Sequence, residues 1–339
     1  MRFFVLICLT FFIFTFAGCV SDKQSDKLEK EIPAEQEITE TANSDTQTET
    51  LIQQEKSILP ESESEKPEEE KIPQSFAEKV FLSYQKAYPD KNISYYNNGN
   101  DWVISLNNKE FCWADGRLLP KDKADKFSDY DPQQIYPYTG KPRNPAEYTK
   151  EKIALLKQKG TQEALQKEKP VDESFIIELL GVKNRIITEE KIVKSQLLGH
   201  RLNIHKYIKD KISTISNEIE SLAAKDKEIA DFIKTVYETS GYNWRTIDGT
   251  NERRSCHSYG IAIDVLIKNN KKTTYWEWER VWNPDWMLVP QKRLWTPPEA
   301  VIKSFEKQGF VWGGTWDEYD TMHFEYRPEL IELGKLMQD

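Results

Sequence analysis

Apolar residues crowd the extreme N-terminus, nearly vanish between residues 20 and 75, and return from residue 76 with helical and strand spacing in turn. In SFAEKVFLSYQKAY, Phe76, Val80, Phe81 and Tyr84 line one face of a predicted helix that Pro89 closes. DWVISLNNKEFCWADG alternates on both sides of Asn107-Asn108, which predicts a β-hairpin. Residues 145–240 read as mostly helical. Ile204, Ile208 and Ile212 recur every fourth position as one buried stripe, beside which His205, like His200, is expected to be structural or surface-exposed. Ile229, Ile233, Val236 and Tyr237 repeat that stripe until Gly241 stops it. Beyond residue 241 strands and turns take over. The helix in TPPEAVIKSFEKQGF is expected to use Thr296 as its cap, Pro297 in its first turn, Glu299 to complete a capping box and Gly309 as its stop.

Two short runs in this last part alternate strictly. GIAIDV sends Ile261, Ile263 and Val265 to one face and Gly260, Ala262 and Asp264 to the other; TMHFEY sends Met322, Phe324 and Tyr326 one way and His323 and Glu325 the other. The predicted class is α+β, with a small module of unknown role at 76–170 and a second domain at 171–339. Internal repeats are absent.

Composition changes the picture at the N-terminus. MRFFVLICLTFFIFTFAGCV has one basic residue, a short apolar core and small residues before a cysteine, which predicts a secretory signal over residues 1–19. FAGC resembles the bacterial lipobox and implies lipidation of Cys19. Residues 20–75 consist largely of Glu, Ser, Thr, Gln, Lys and Pro, too few of them apolar to offset the entropy of ordering, so this stretch is expected to be a disordered acidic tether. Much of the formal net charge of −9 sits there, no basic stripe occurs, and a nucleic-acid partner is not expected. Once the signal is removed, Cys19, Cys112 and Cys256 remain; spacing leaves open whether the last two pair.

The candidate chemistry lies in SCHSYGIAIDV and GFVWGGTWDEYDTMHFE. Gly260 allows a tight turn that folds His257 back beside Asp264. Two histidines and an aspartate on polar strand faces would supply three N/O ligands and leave a fourth tetrahedral position open, the pattern of a catalytic zinc site. Imidazole and carboxylate also suit other divalent ions, and simple hydrogen-bonded histidines remain the bland alternative.

Both stretches resemble the signatures of the VanY-type zinc peptidases, bacterial D-alanyl-D-alanine carboxypeptidases and L-alanyl-D-glutamate endopeptidases whose fold is shared with lysostaphin and the hedgehog N-domain. The resemblance covers roughly residues 195–335. It implies a central antiparallel sheet flanked by helices, Zn2+ held by His257, Asp264 and His323, and Asp320 as general base with Asp317 and Glu318 as rivals. It further implies a carbonyl-binding arginine, best matched by Arg245 with Arg253 and Arg254 as competitors, and an orienting role for Ser255. Glu325, on the metal-side face, is expected to accept the other N–H of His323. The expected function is therefore hydrolysis of peptidoglycan stem peptides by an enzyme lipid-anchored in the bacterial cell envelope; the alternative is a wall-binding lipoprotein that keeps the fold without catalysis. All the tryptophans except Trp102 and Trp113 lie beyond residue 240. Five of them, Trp276, Trp278, Trp282, Trp286 and Trp295, fall in an insertion expected to form a β-hairpin roofing the core, with some residues facing the cleft.

Overall fold

The structure is a computed structural model, and it describes residues 75–247, 253–268 and 271–338. The expected signal, Cys19 and all but the last residue of the expected tether lie outside the described residues.

Helix α1 (Phe76–Ala87) opens the described chain, capped by Ser75, whose hydroxyl accepts the N–H of Glu78. An antiparallel sheet follows: β1 (Ile93–Asn97), β2 (Trp102–Leu106), β3 (Lys109–Cys112) and β4 (Leu119–Pro120), in that spatial order. Asn107 and Asn108 both adopt positive φ, at 52° and 65°, which makes the turn between β2 and β3 the tight hairpin type that the asparagine pair foretells.

After 3-10 turns over Lys121–Asp129 and Pro145–Glu147 come α2 (Lys150–Gln158), α3 (Gln162–Leu165), α4 (Ser174–Leu180) and α5 (Arg185–Glu189). Residues 192–205 are not helical, contrary to the expectation. They form a hairpin of β5 (Ile192–Leu197) and β6 (His200–His205), turned by Leu198 and Gly199 at positive φ. The four-residue spacing misled because Ile204 lies in a strand while Ile208 and Ile212 lie beyond it. Ile212 belongs to α6 (Lys209–Ala223), and all three side chains are fully buried. The next helix, α7 (Lys227–Thr235), also ends earlier than its apolar stripe suggested. Val236 and Tyr237 begin β7 (Val236–Ser240), because the β-branched and aromatic run TVYETS pairs with the next strand.

The second four-stranded sheet is antiparallel and ordered β7, β8 (Ala262–Ile267), β10 (His323–Tyr326), β9 (Phe310–Trp312). Its apolar face meets α9 (Glu299–Lys307), with Phe305 and Phe324 stacked at 3.9 Å, and α9 packs in turn on α6. The expected capping box of α9 does not form. Pro298 pushes the residue before it, Pro297, out of helical backbone, so the helix begins only at Glu299 without a side-chain cap.

The tryptophan-rich insertion is likewise no hairpin. It consists of the short helix α8 (Trp276–Arg280) and two single turns, Trp286–Leu288 and Gln291–Arg293. Trp286 is its buried anchor, packed on Trp276 at 4.7 Å, and buried Arg143 donates to the carbonyls of Met287 and Val289. Trp278 and Trp282 are exposed. The C-terminal helix α10 (Pro328–Leu336) packs along α1, and the main core runs without a break from Val80 and Phe81 to Phe324 and Leu333. That shared core crosses the expected boundary at 170/171. Cys112 and Cys256 are free thiols, and no helix among the described residues is long and apolar enough to cross a membrane.

Candidate metal centre

Strand register builds the centre. In the β8–β10 pair, His323 lies directly opposite Asp264, so both side chains project from the same face, while Phe324 and Ile263 project into the core. His257 arrives from a single 3-10 turn, Cys256–Tyr259, that ends at Gly260 with φ +70°. A side chain at position 260 would strike the backbone N of His205 at 2.7 Å, so glycine is required there on two counts. Ser255 caps this turn, its hydroxyl accepting the His257 N–H at 3.3 Å.

Nδ1 of His257 lies 2.6 Å from the carbonyl oxygen of Gly241. A carbonyl only accepts, so Nδ1 carries the proton and Nε2 presents a lone pair. That Nε2 faces Asp264 Oδ2 at 3.3 Å. On the other side, His323 Nδ1 faces Asp264 Oδ1 at 3.0 Å while its Nε2 faces Glu325 Oε2 at 3.4 Å. If Glu325 takes the Nε2 proton, Nδ1 also turns a lone pair toward Asp264. Two imidazole lone pairs and a carboxylate converging in this way repel one another unless positive charge lies among them, either as added protons or as a cation.

The distances fit a cation. One ligand atom from each of His257, Asp264 and His323 can be chosen so that all lie within 4.8 Å of one another. Ligands about 2.0–2.1 Å from a tetrahedral zinc stand roughly 3.3 Å apart, and the closest nitrogen-to-oxygen approaches here are 3.3 Å, from His257 Nε2 to Asp264 Oδ2, and 3.0 Å, from His323 Nδ1 to Asp264 Oδ1. The electrostatics of the bare site show the same demand. Burial pushes the Asp264 carboxyl up, yet hydrogen bonds and charge from His257 and His323 draw it far below the usual carboxylate range. Burial works against charge on His323, but Asp264, Glu325 and Asp320 raise its pKa well above the ordinary value.

Asp320 lies three residues before His323, and its carbonyl accepts the His323 N–H at 3.2 Å. Its Oδ1 is covered and has no hydrogen-bond partner, and burial, assisted by nearby Asp264, lifts its carboxyl to about 6. An unpaired buried carboxylate oxygen beside three converging ligands is placed to take a proton. The rivals are occupied elsewhere: Asp317 pairs with Lys152 at 2.9 Å and with Tyr148, and Glu318 pairs with Lys159 at 3.3 Å. The insertion braces this segment, with Tyr275 bridged to Asp320 and the Trp276 N–H donating to the Tyr319 carbonyl at 3.0 Å.

The three arginines separate. Arg245 is exposed, its backbone N–H held by Ser258 Oγ at 2.8 Å, and its charge partly offsets the upward push that burial, Glu277 and Asp320 exert on the Tyr275 phenol. Arg254 is engaged with Glu173 at 2.8 Å and lies over Trp244. Arg253 is half-buried, and its charge acts on Cys256.

Residues 248–326 match the D-alanyl-D-alanine carboxypeptidase family. The matched span holds all three candidate ligands, Asp320 and Glu325, and it supports a peptidase family for this part of the chain. Residues 80–134 match a second family described as a domain of unknown function. No curated protein and no solved structure matches the chain.

Sequence reasoning missed several residues at the centre. Gly241 supplies the carbonyl that fixes the His257 tautomer, and a side chain there would collide with the Asn203 carbonyl at 2.3 Å. Trp316 packs its ring 5.5 Å from that of His323. Arg327 and Glu329 lie behind Glu325, and Tyr88 reaches Glu329 from α1. Only Gly241 and Trp316, close to the two motifs, had a local signal.

Proposed function

We propose that the protein is a zinc-dependent peptidase of peptidoglycan stem peptides, cutting a D-alanyl-D-alanine or an L-alanyl-D-glutamate bond. The observation that carries this reading is the convergence of His257, Asp264 and His323 beside the unpaired Oδ1 of Asp320, inside the span that matches the carboxypeptidase family. His257 through Nε2, His323 through Nδ1 and Asp264 through its carboxylate would hold the ion. Such an ion supplies Lewis acidity to a scissile carbonyl and acidifies water to a pKa of about 7.

The remaining work falls to the chain's own groups. Asp320 Oδ1 accepts the proton of the attacking water and returns it to the leaving amine, a transfer for which a carboxyl lifted to about 6 is better matched to neutral pH than an ordinary aspartate. Arg245, exposed and near enough for its charge to act on Tyr275, offers a positive charge for a substrate carbonyl or carboxylate. Gly241 and Glu325 hold the two imidazoles in the tautomers that leave Nε2 of His257 and Nδ1 of His323 facing Asp264. The proposal extends to location: a signal over residues 1–19, lipidation at Cys19 and the acidic tether over 20–75 would hold the enzyme in the bacterial envelope within reach of wall.

The test is metal analysis of the purified protein together with mass spectrometry of muropeptides before and after digestion. We expect one zinc per chain and a chelator-sensitive loss of D-alanine or splitting of the stem. Metal-free protein, or muropeptides unchanged by zinc-loaded protein, would overturn the reading.

A further inference from the structure

Behind His323 the polar contacts continue past the end of the matched span. Glu325 Oε1 accepts from Arg327 Nη1 at 3.4 Å. Arg327 Nε donates to Glu329 Oε1 at 2.5 Å, and Glu329 Oε2 accepts the hydroxyl of Tyr88 at 3.0 Å. Arg327 Nη2 donates to the carbonyl of Gln134 at 2.9 Å. Tyr88, Glu329, Glu325 and His323 are all buried, so the contacts that link them through Arg327 are largely shielded from solvent and each charge depends on its neighbour for balance, whereas the bond from Arg327 to Gln134 is exposed. The match to the peptidase family ends at residue 326, whereas Tyr88 and the whole of β1 to β4 lie within the span matching the domain of unknown function, with Gln134 its last residue.

We infer that the N-terminal module is a positioning element of the metal centre: Tyr88 and the Gln134 carbonyl fix Glu329 and Arg327, which hold Glu325 on Nε2 of His323 and so keep Nδ1 aimed at Asp264. The inference rests on the metal-site reading above and gives the module a task within it. Three features of the contacts favour positioning over mere packing. Charges alternate along the chain of contacts, so removing one member leaves its neighbours unbalanced. Arg327 is pinned by three acceptors on different elements, which leaves its guanidinium a single orientation. Finally, Glu325 divides its two oxygens, one to Arg327 and one to His323, so a rotation forced at Arg327 is delivered to the imidazole.

The experiment uses the full chain with zinc as the probe, titrated in competition with a chromophoric chelator, and with the visible spectrum of the cobalt-substituted protein as a second readout. Glu329→Gln is expected to weaken zinc binding about tenfold and to alter the cobalt spectrum, within the roughly 10–100-fold range for partners that orient a metal ligand. Tyr88→Phe, which keeps the ring packing, is expected to weaken it about threefold, and to add nothing once Glu325→Gln is present. Tyr138→Phe removes a comparable phenol bond, to Glu306 at 2.7 Å, and is expected to lower the melting temperature with zinc affinity unchanged. Wild-type zinc affinity in both Tyr88→Phe and Glu329→Gln, or an undiminished effect of Tyr88→Phe in the Glu325→Gln background, would overturn the inference and leave the peptidase reading standing. A wild-type chain that binds no divalent ion would overturn both. If Glu329→Gln fails to fold, Tyr88→Phe alone decides.

Discussion

Two buried histidine environments lie back to back across the turn at Gly260, and they have opposite characters. On one side, His205 ends β6, accepts the Tyr207 N–H on Nδ1, and packs its backbone against Gly260. Burial, and then the charges of Lys191, Lys206 and Lys91, bring its pKa down to about 4, so it is a neutral structural cap. On the other side, His257 and His323 face Asp264, with Glu325 and Asp320 close by. Burial is similar in both places. What separates them is the sign of the surrounding charge, cationic at His205 and anionic at His257 and His323. His205 engages one backbone N–H through Nδ1 amid lysine charge, whereas the pair at Asp264 is arranged around something positive.

The strongest way to break this contrast is to remove a ligand. His257→Ala or His323→Ala should abolish stoichiometric zinc and hydrolysis together, while His205→Ala should leave the zinc content at one per chain; metal analysis of the three purified variants checks this. A finer cut separates holding the ion from using it. Asp320→Asn should retain zinc and lose turnover by about 10²–10⁴-fold, the usual worth of a positioned general base, and unchanged turnover with full metal would remove Asp320 from that role. The smallest effect falls on stability. The folded protein keeps His205 neutral while the unfolded chain protonates it near pH 6.5, so the unfolded state binds more protons below that value. Stability from this group is therefore complete above pH 6.5 and falls as the pH drops toward 4, by about 3 kcal/mol in all. Urea unfolding at pH 7 and pH 4.5 should show His205→Asn, which keeps a capping side chain, losing less stability on acidification than the wild type.

The centre was more legible in sequence than the fold around it, because its parts obey short-range rules. Alternation in GIAIDV and TMHFEY assigns faces residue by residue, and Gly260 marks its turn without reference to anything distant. Register then brings His323 and Asp264 together. The helix expected through Ile204 failed because period-four spacing does not distinguish one buried stripe from a buried strand followed by a buried helix; the Leu198-Gly199 turn was the local clue that outweighs it. The tryptophan insertion was illegible for a different reason. Its path is set by Arg143, more than a hundred residues away, gripping two of its carbonyls. The Arg327, Glu329 and Tyr88 contacts are hidden in the same manner, since nothing near Tyr88 announces a partner that is 241 positions later in the chain.

That long separation also bears on how the molecule is made. Lys79 of α1 bonds the carbonyl of Leu336 in α10, 257 positions away, at 3.0 Å. Helix α1 therefore cannot complete its packing until synthesis has nearly ended, and such distant closure favours slow folding. A ribosome stalled before residue 328 would hold a chain in which α1 lacks its partner, and a helix made early would be among the last to gain protection.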